Sequence, residues 1–448
     1  MFAKEVYQQR RNALKKTVGS GIILLPGNEE SSMSYKDNLY PFRQDSCFLY
    51  FTGIDRPGLC FILDIDNDQE ILFGDEATVD DVIWTGPQQP VAEEAERAGI
   101  AFVRTRTEVE NALRGNRVVH FLPPYRPETS LKLVAWGQHG DPSVPLIKAI
   151  VAQRAVKSPE EVEQIEQAVA TSVLMHQKAM EIARPGLTEQ YIAGQLQALA
   201  IEKGGNLSFP SIVTVNGQIL HNHASSNVLK SGQMVLCDSG AENSMHYAGD
   251  LTRTFPVDDT FSPVQEEVYE IVLRAQQKAA QSLKPGILFK DVHIIACEEL
   301  AEGLKSIGLM KGDVKQAVAE GAHTLFFQCG LGHMMGLDVH DMENLGEEYV
   351  GYTEDLKKSK AFGLKSLRLG RSLEEGFVVT VEPGLYFIPE LIDLWSAEQK
   401  HASFINYDKV KQFRHFGGIR IEEDFLVTAA GSRLLGPPLA KTINELYA

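Results

Sequence analysis

The chain has 448 residues, with 60 acidic against 43 basic side chains and a formal net charge of −17. An acidic chain lacks the basic footprint of nucleic-acid binding, and 44% hydrophobic with 23% charged residues excludes a disordered or collagen-like polypeptide. The length provides for two to three domains with ample cores.

No apolar run approaches the roughly 20 residues that span a bilayer, so no membrane association is expected. Near the N-terminus, Gly21-Ile22-Ile23-Leu24-Leu25 is stopped by Pro26-Gly27. It is too short for a signal-peptide core and reads as a strand. The five cysteines (47, 60, 237, 297 and 329) are odd in number and contain no CxxC pair. Neither a disulfide framework nor a zinc ribbon is indicated, and reduced thiols in a cytoplasm fit best.

Over the first ~150 residues, short apolar runs alternate with helical stretches, as in an α/β domain. Leu59 to Leu63 and Glu70 to Phe73 flank the turn-like Asp64-Ile65-Asp66-Asn67-Asp68, which predicts a hairpin. Arg117 to Leu122 reads as a strand halted by Pro123-Pro124. A boundary follows at about residue 155, dividing the chain into 1–155 and 156–448.

Ser158, with Pro159 and Glu160-Glu161 behind it, is a helix start. That helix stops at Arg184-Pro185-Gly186. A second helix, from about Ser262 to Leu283, stops at Lys284-Pro285-Gly286. Each stop is followed by another amphipathic helix and then strand-like segments, which points to an internal duplication.

Four segments carry the chemistry. Met234-Val235-Leu236-Cys237 leads into Asp238, and twelve residues later Asp250 opens another strand-like run to Phe255, the pattern of a hairpin with a carboxylate on each strand. Asp is depleted in strands. Gly330 to Asp341 is rich in glycine and holds His333 and His340. Val378 to Val381 ends in Glu382 before Pro383-Gly384, a costly place for an unpaired charge. Gly417 to Asp424 places Arg420 and Glu422 on one strand face and Glu423 on the other. Asp238, Asp250, Glu382 and Glu422 would repel strongly if gathered alone. Two divalent ions would neutralise them, and oxygen-rich ligands with the single imidazole of His333 favour Mn²⁺, Co²⁺, Zn²⁺ or Fe²⁺.

These residues resemble, in order and context, the five metal ligands of the pita-bread metallopeptidases, which include methionine aminopeptidase, aminopeptidase P and prolidase. Phe42-Arg43-Gln44-Asp45 with Tyr50-Phe51-Thr52-Gly53 resembles the N-terminal domain shared by aminopeptidase P, prolidase and creatinase. The resemblance implies an α/β N-terminal domain followed by an α+β pita-bread catalytic domain built from two related halves. It implies two divalent ions, Mn²⁺ first, and a homodimer or higher homo-oligomer. It also implies a peptide substrate with proline in the second position, with Xaa-Pro dipeptidase ahead of Xaa-Pro aminopeptidase.

In the same resemblance Glu382 also moves the proton to the leaving nitrogen, and His340 and His221 hydrogen-bond the reacting carbonyl. Arg420 and Arg368, the latter ending Gly363-Leu364-Lys365-Ser366-Leu367-Arg368, meet the product-side carboxylate. A metal-free creatinase-like hydrolase and a ligand-binding pseudo-peptidase module are the rival expectations, and the complete ligand set argues against both. One position departs from the pattern: Cys329 stands four residues before His333, where the family carries another histidine.

Overall fold

The computed structural model describes residues 1–447. The chain falls into two units: Met1–Arg154 together with Met342–Tyr349, and Ala155–Asp341 together with Val350 onward. The short segment 342–349 therefore departs from the single cut read from the sequence. Among the described residues no helix is long and apolar enough to cross a membrane.

The first unit is built on a five-stranded sheet. Its strands are β1 (Ile22–Pro26), β2 (Cys60–Asp64), β3 (Gln69–Phe73), β4 (Phe102–Arg104) and β5 (Val119–His120), in the order β4-β3-β2-β1-β5. The expected hairpin is β2–β3, antiparallel with Ile62 opposite Ile71. Ile22, Leu24, Cys60, Ile62, Ile71 and Phe73 alternate along their strands and pack together on one face. The strand expected from Arg117 to Leu122 shrinks to two residues. Its first side chain turns aside to donate to Asp64 Oδ1 at 2.6 Å, and prolines at its end supply no backbone donors. The helix Lys4–Val18 is held by Arg11, buried, which donates to Glu70 Oε2 at 2.8 Å and to the carbonyls of Phe51, Ala98 and Gly99.

The second unit shows the duplication as geometry. Helices α1 (Pro159–Ile182) and α2 (Glu189–Glu202) form one hairpin, and α3 (Pro263–Ser282) and α4 (Phe289–Ser306) form the other. Both long helices begin with a serine N-cap, a proline in the first turn and a reciprocal capping box, Ser158 with Glu161 and Ser262 with Gln265. Both hairpin turns use a glycine at positive φ, Gly186 at 95° and Gly286 at 87°, conformations that a side chain would oppose.

The two halves also repeat a hydrogen-bond pattern. Gly186 N–H donates to Leu229 O, and Leu229 N–H returns to Leu187 O. Gly286 N–H donates to Leu373 O, and Leu373 N–H returns to Ile287 O. The same number of residues beyond Leu229 and Leu373 come Asp238 and Glu382. The strands of the first half, β6 (Ile212–Thr214), β7 (Met234–Ser239) and β8 (Leu251–Pro256), make an antiparallel sheet ordered β8-β7-β6. The second half contributes β9 (Val378–Val381), β10 (Gly384–Tyr386), β11 (Gly418–Arg420), β12 (Glu423–Thr428) and β13 (Gly431–Leu434). Here β12 is central between β9 and β13, and β10 pairs with β11.

Candidate metal centre

Each acidic residue sits where a strand ends or breaks. Asp238 lies in β7 opposite Thr252 of β8. Asp250 immediately precedes β8, and its N–H donates to Asp424 Oδ2 at 3.1 Å. Glu382 follows β9 directly, while Glu422 occupies the gap between β11 and β12 and bridges to Thr252 across the two halves. His333 arrives from the glycine-rich loop, with its N–H donating to Thr380 Oγ1 at 3.1 Å. Gly332 is required there because a Cβ would lie 2.2 Å from the Thr380 carbonyl.

These residues converge. Donor atoms of Asp250, His333 and Glu422 all lie within 4.8 Å of one another. His333 Nε2 is 3.5 Å from Asp250 Oδ2 and 3.7 Å from Glu382 Oε1. Its Nδ1 faces the Met334 carbonyl at 3.0 Å. A carbonyl only accepts, so Nδ1 carries the proton and Nε2 presents a lone pair. A lone pair turned toward carboxylates calls for a proton or a metal ion between them.

The carboxylates carry the same frustration. Asp238 Oδ1 and Asp250 Oδ1 are buried without a hydrogen-bond partner. Burial first, and then the charges of their neighbours, push the carboxyls of Asp250 and Glu422 well above the usual range. Burial raises Glu382 to about 7; Asp250 and Asp238 add to the rise, and His333 and Arg420 oppose it. The donor set therefore fits hard or borderline divalent cations, which remove the repulsion and satisfy the orphaned oxygens.

A polar frame holds the acids in place. Arg420 is 3% exposed and each of its three nitrogens has a protein partner. Nη2 grips Asp238 Oδ2, Nη1 donates to Tyr386 Oη at 3.0 Å, and Nε donates to Thr252 Oγ1 at 3.1 Å. The Thr252 hydroxyl in turn donates a hydrogen bond to Glu422 Oε2 at 2.6 Å. Glu423, turned to the opposite face, accepts from Arg253 at 2.9 Å and Gln276 at 3.2 Å. The product-side contact expected of Arg420 thus competes with three interactions it already makes inside the fold.

The cluster floors a cleft of about 260 Å³ whose walls include His221, His223, His340, Arg368 and Cys329. The His340 ring meets the His333 ring edge-on at 4.3 Å between centroids. Partial burial, aided by Arg420, lowers the His221 pKa and keeps the ring neutral. Cys329 Sγ is 4.0 Å from Tyr386 Oη. Burial, then Glu382, pushes its thiol up to about 12, so it stays protonated.

Thr252, Tyr386, Asp424 and His223 were not singled out by sequence reasoning. Thr252 and Asp424 had a usable signal, since each lies two residues beyond a proposed ligand and so on the same strand face.

Two related halves that deliver four carboxylates and one imidazole into a single cleft define a pita-bread metallopeptidase. Residues 163–429 match metallopeptidase family M24, and residues 7–118 match the aminopeptidase P N-terminal domain; the chain belongs to family M24. It is 30% identical over 442 residues to human Xaa-Pro dipeptidase, covering 95% of this chain and 88% of that protein. It is also 30% identical over 472 residues to the Xaa-Pro aminopeptidase of Escherichia coli K12, covering 100% and 98%. The structure of E. coli aminopeptidase P with the inhibitor Pro-Leu superposes with a TM-score of 0.81 at 29% identity, over 100% of this chain and 98% of that one.

Proposed function

We propose that this metallopeptidase cleaves the bond before proline and prefers the free dipeptide Xaa-Pro. The observation that carries the preference is Arg368, a cation in the wall of a small cleft floored by acidic groups. A dipeptide ends in a free proline carboxylate, and Arg368 offers it the complementary charge. Similarity to human Xaa-Pro dipeptidase supports this reading.

Asp238, Asp250, His333, Glu382 and Glu422 are the residues that would hold two divalent ions, which we take to be Mn²⁺. Such ions supply Lewis acidity and lower the pKa of water to about 7. Glu382 takes the proton of the attacking water on a carboxylate oxygen and delivers it to the imide nitrogen of proline. The rings of His221 and His340 donate to the carbonyl oxygen as negative charge gathers there. Arg368 anchors the proline carboxylate, and Arg420 orients Asp238. Proline at the scissile bond supplies no N–H, so the site has no need of an acceptor there.

A second reading, Xaa-Pro aminopeptidase acting on longer peptides, rests on the end-to-end similarity to the E. coli enzyme. Arg368→Ala separates the two. Loss of a charge-assisted contact of about 1.5–3 kcal/mol lowers kcat/KM on Ala-Pro by about 10–100-fold. Cleavage of a longer Ala-Pro peptide changes little or improves, because the arginine that anchors a dipeptide obstructs a continuing chain. Equal losses on both substrates, or none on either, would remove the anchoring role and favour the aminopeptidase.

The assembly we propose is a homodimer or larger homo-oligomer. Val79, Ile83 and Trp84 on the helix Val79–Thr85 are 77%, 69% and 85% exposed, a patch that a second copy would cover. Light scattering that finds only monomer at micromolar concentration contradicts this. Five free cysteines suit the reducing cytoplasm.

A further inference from the structure

Helix α4 carries His293 and Cys297 one turn apart, both facing inward, and the 3₁₀ turn Ala322–Leu325 brings His323 against them. The three residues are 1%, 0% and 5% exposed. One nitrogen from each ring and the thiol sulfur lie within 4.8 Å of one another. None of the three belongs to the cleft or to the polar frame of the catalytic acids.

As a hydrogen-bonded cluster the arrangement is incomplete. Cys297 Sγ and His293 Nε2 are 3.4 Å apart, but the Nδ1 atoms of His293 and His323 are buried without a hydrogen-bond partner.

As a ligand set the arrangement is coherent. A metal bound to sulfur at about 2.3 Å and to nitrogen at about 2.05 Å, with a tetrahedral angle between them, holds those donors about 3.5 Å apart. We propose that His293, Cys297 and His323 form a second metal site, separate from the catalytic pair, for one thiophilic d¹⁰ ion, Cu⁺ in preference to Zn²⁺.

The preference follows from charge and softness. On binding, the Cys297 thiol loses its proton to solvent and both imidazoles stay neutral. The complex with Cu⁺ has no net charge, while that with Zn²⁺ is +1 in an apolar core with no carboxylate among its ligands. Thiolate with imidazole selects Cu⁺ or Zn²⁺ over the hard ions that suit the carboxylate cluster. Burial holds His293 at about 3 and His323 at about 4, so both rings keep their lone pairs at neutral pH. With so little exposure, loading accompanies folding, and the ion should survive chelators that strip the open cleft.

The test is metal analysis of the full chain expressed with added copper or, separately, zinc, and dialysed against EDTA. About one equivalent should remain in wild type and in Asp250→Asn, and fall at least tenfold in Cys297→Ser and His323→Gln. Retention of copper supports the neutral complex; retention of zinc alone supports the site and overturns the preference for Cu⁺. Because a core variant can fail to fold, X-ray absorption of the wild type provides a second reading. One sulfur scatterer at about 2.2–2.3 Å from the retained metal, preserved in Cys329→Ala, supports the site. No retained metal under either supplement, a sulfur-free shell, or loss of the signal on Cys329→Ala overturns it.

Discussion

Arg420 reaches from the β10–β11 ribbon to Asp238 in β7 and grips one carboxylate oxygen, leaving the other, Oδ1, buried without a hydrogen-bond partner. The contact fixes which oxygen of Asp238 is available to a cation. It also ties an acid of the first half to a strand of the second.

Arg420→Lys tests that arrangement. A lysine keeps the charge but cannot contact Asp238, Tyr386 and Thr252 together. Because partners that orient ligands are typically worth 10–100-fold in metal affinity or activity, Mn²⁺ titration should show weaker binding by about that factor. A raised KM for Ala-Pro with unchanged metal affinity would instead place Arg420 on the substrate.

Asp250→Ala removes the acid closest to His333 Nε2. Activity should be abolished, with fewer than two metal ions retained after gel filtration. Near-normal turnover with both ions bound would refute the ligand assignment.

Glu382→Gln keeps a weak oxygen donor but cannot carry a proton. Turnover should fall by about 10²–10⁴-fold, more than KM changes. An unaltered kcat would take Glu382 out of proton transfer.

His176 predicts an acid limb of stability. It is fully buried in α1, its Nε2 lies 3.0 Å from the Ser239 carbonyl, and burial lowers its pKa from 6.5 to about 4. The unfolded chain therefore binds the extra proton between those values. Stability from this group is complete above about pH 6.5 and drains away as pH falls toward 4, by up to a few kcal/mol. Urea midpoints for wild type should drop across that window, and His176→Gln should drop less steeply. Parallel slopes would show that this histidine does not control the limb.

Local rules made much of the fold legible. The serine caps with their prolines, the Pro-Gly stops and the β-branched run ending in Glu382 act over one or two turns of chain. They correctly placed both helix hairpins and the strands that end at the acids. Period-two alternation likewise separated Glu422 from Glu423, which face the acidic cluster and Arg253 respectively. Extended by one more step, it would have reached Thr252 and Asp424. The strand at Arg117 was over-extended because its length depends on an ion pair with Asp64, 53 residues away.

By itself the sequence determined which residues end strands, where the chain repeats, and that an unusual set of acids needed neutralising. Those properties follow from backbone geometry and the cost of burying charge, which neighbouring residues largely decide. Only the tertiary structure decided that β7, β8, β9 and β11 bring Asp238, Asp250, Glu382 and Glu422 around His333, and that Arg420 is committed to Asp238. It alone placed His323 beside His293 and Cys297. Distance in space between segments so far apart in the chain is set by how the two halves pack, and no local pattern encodes it.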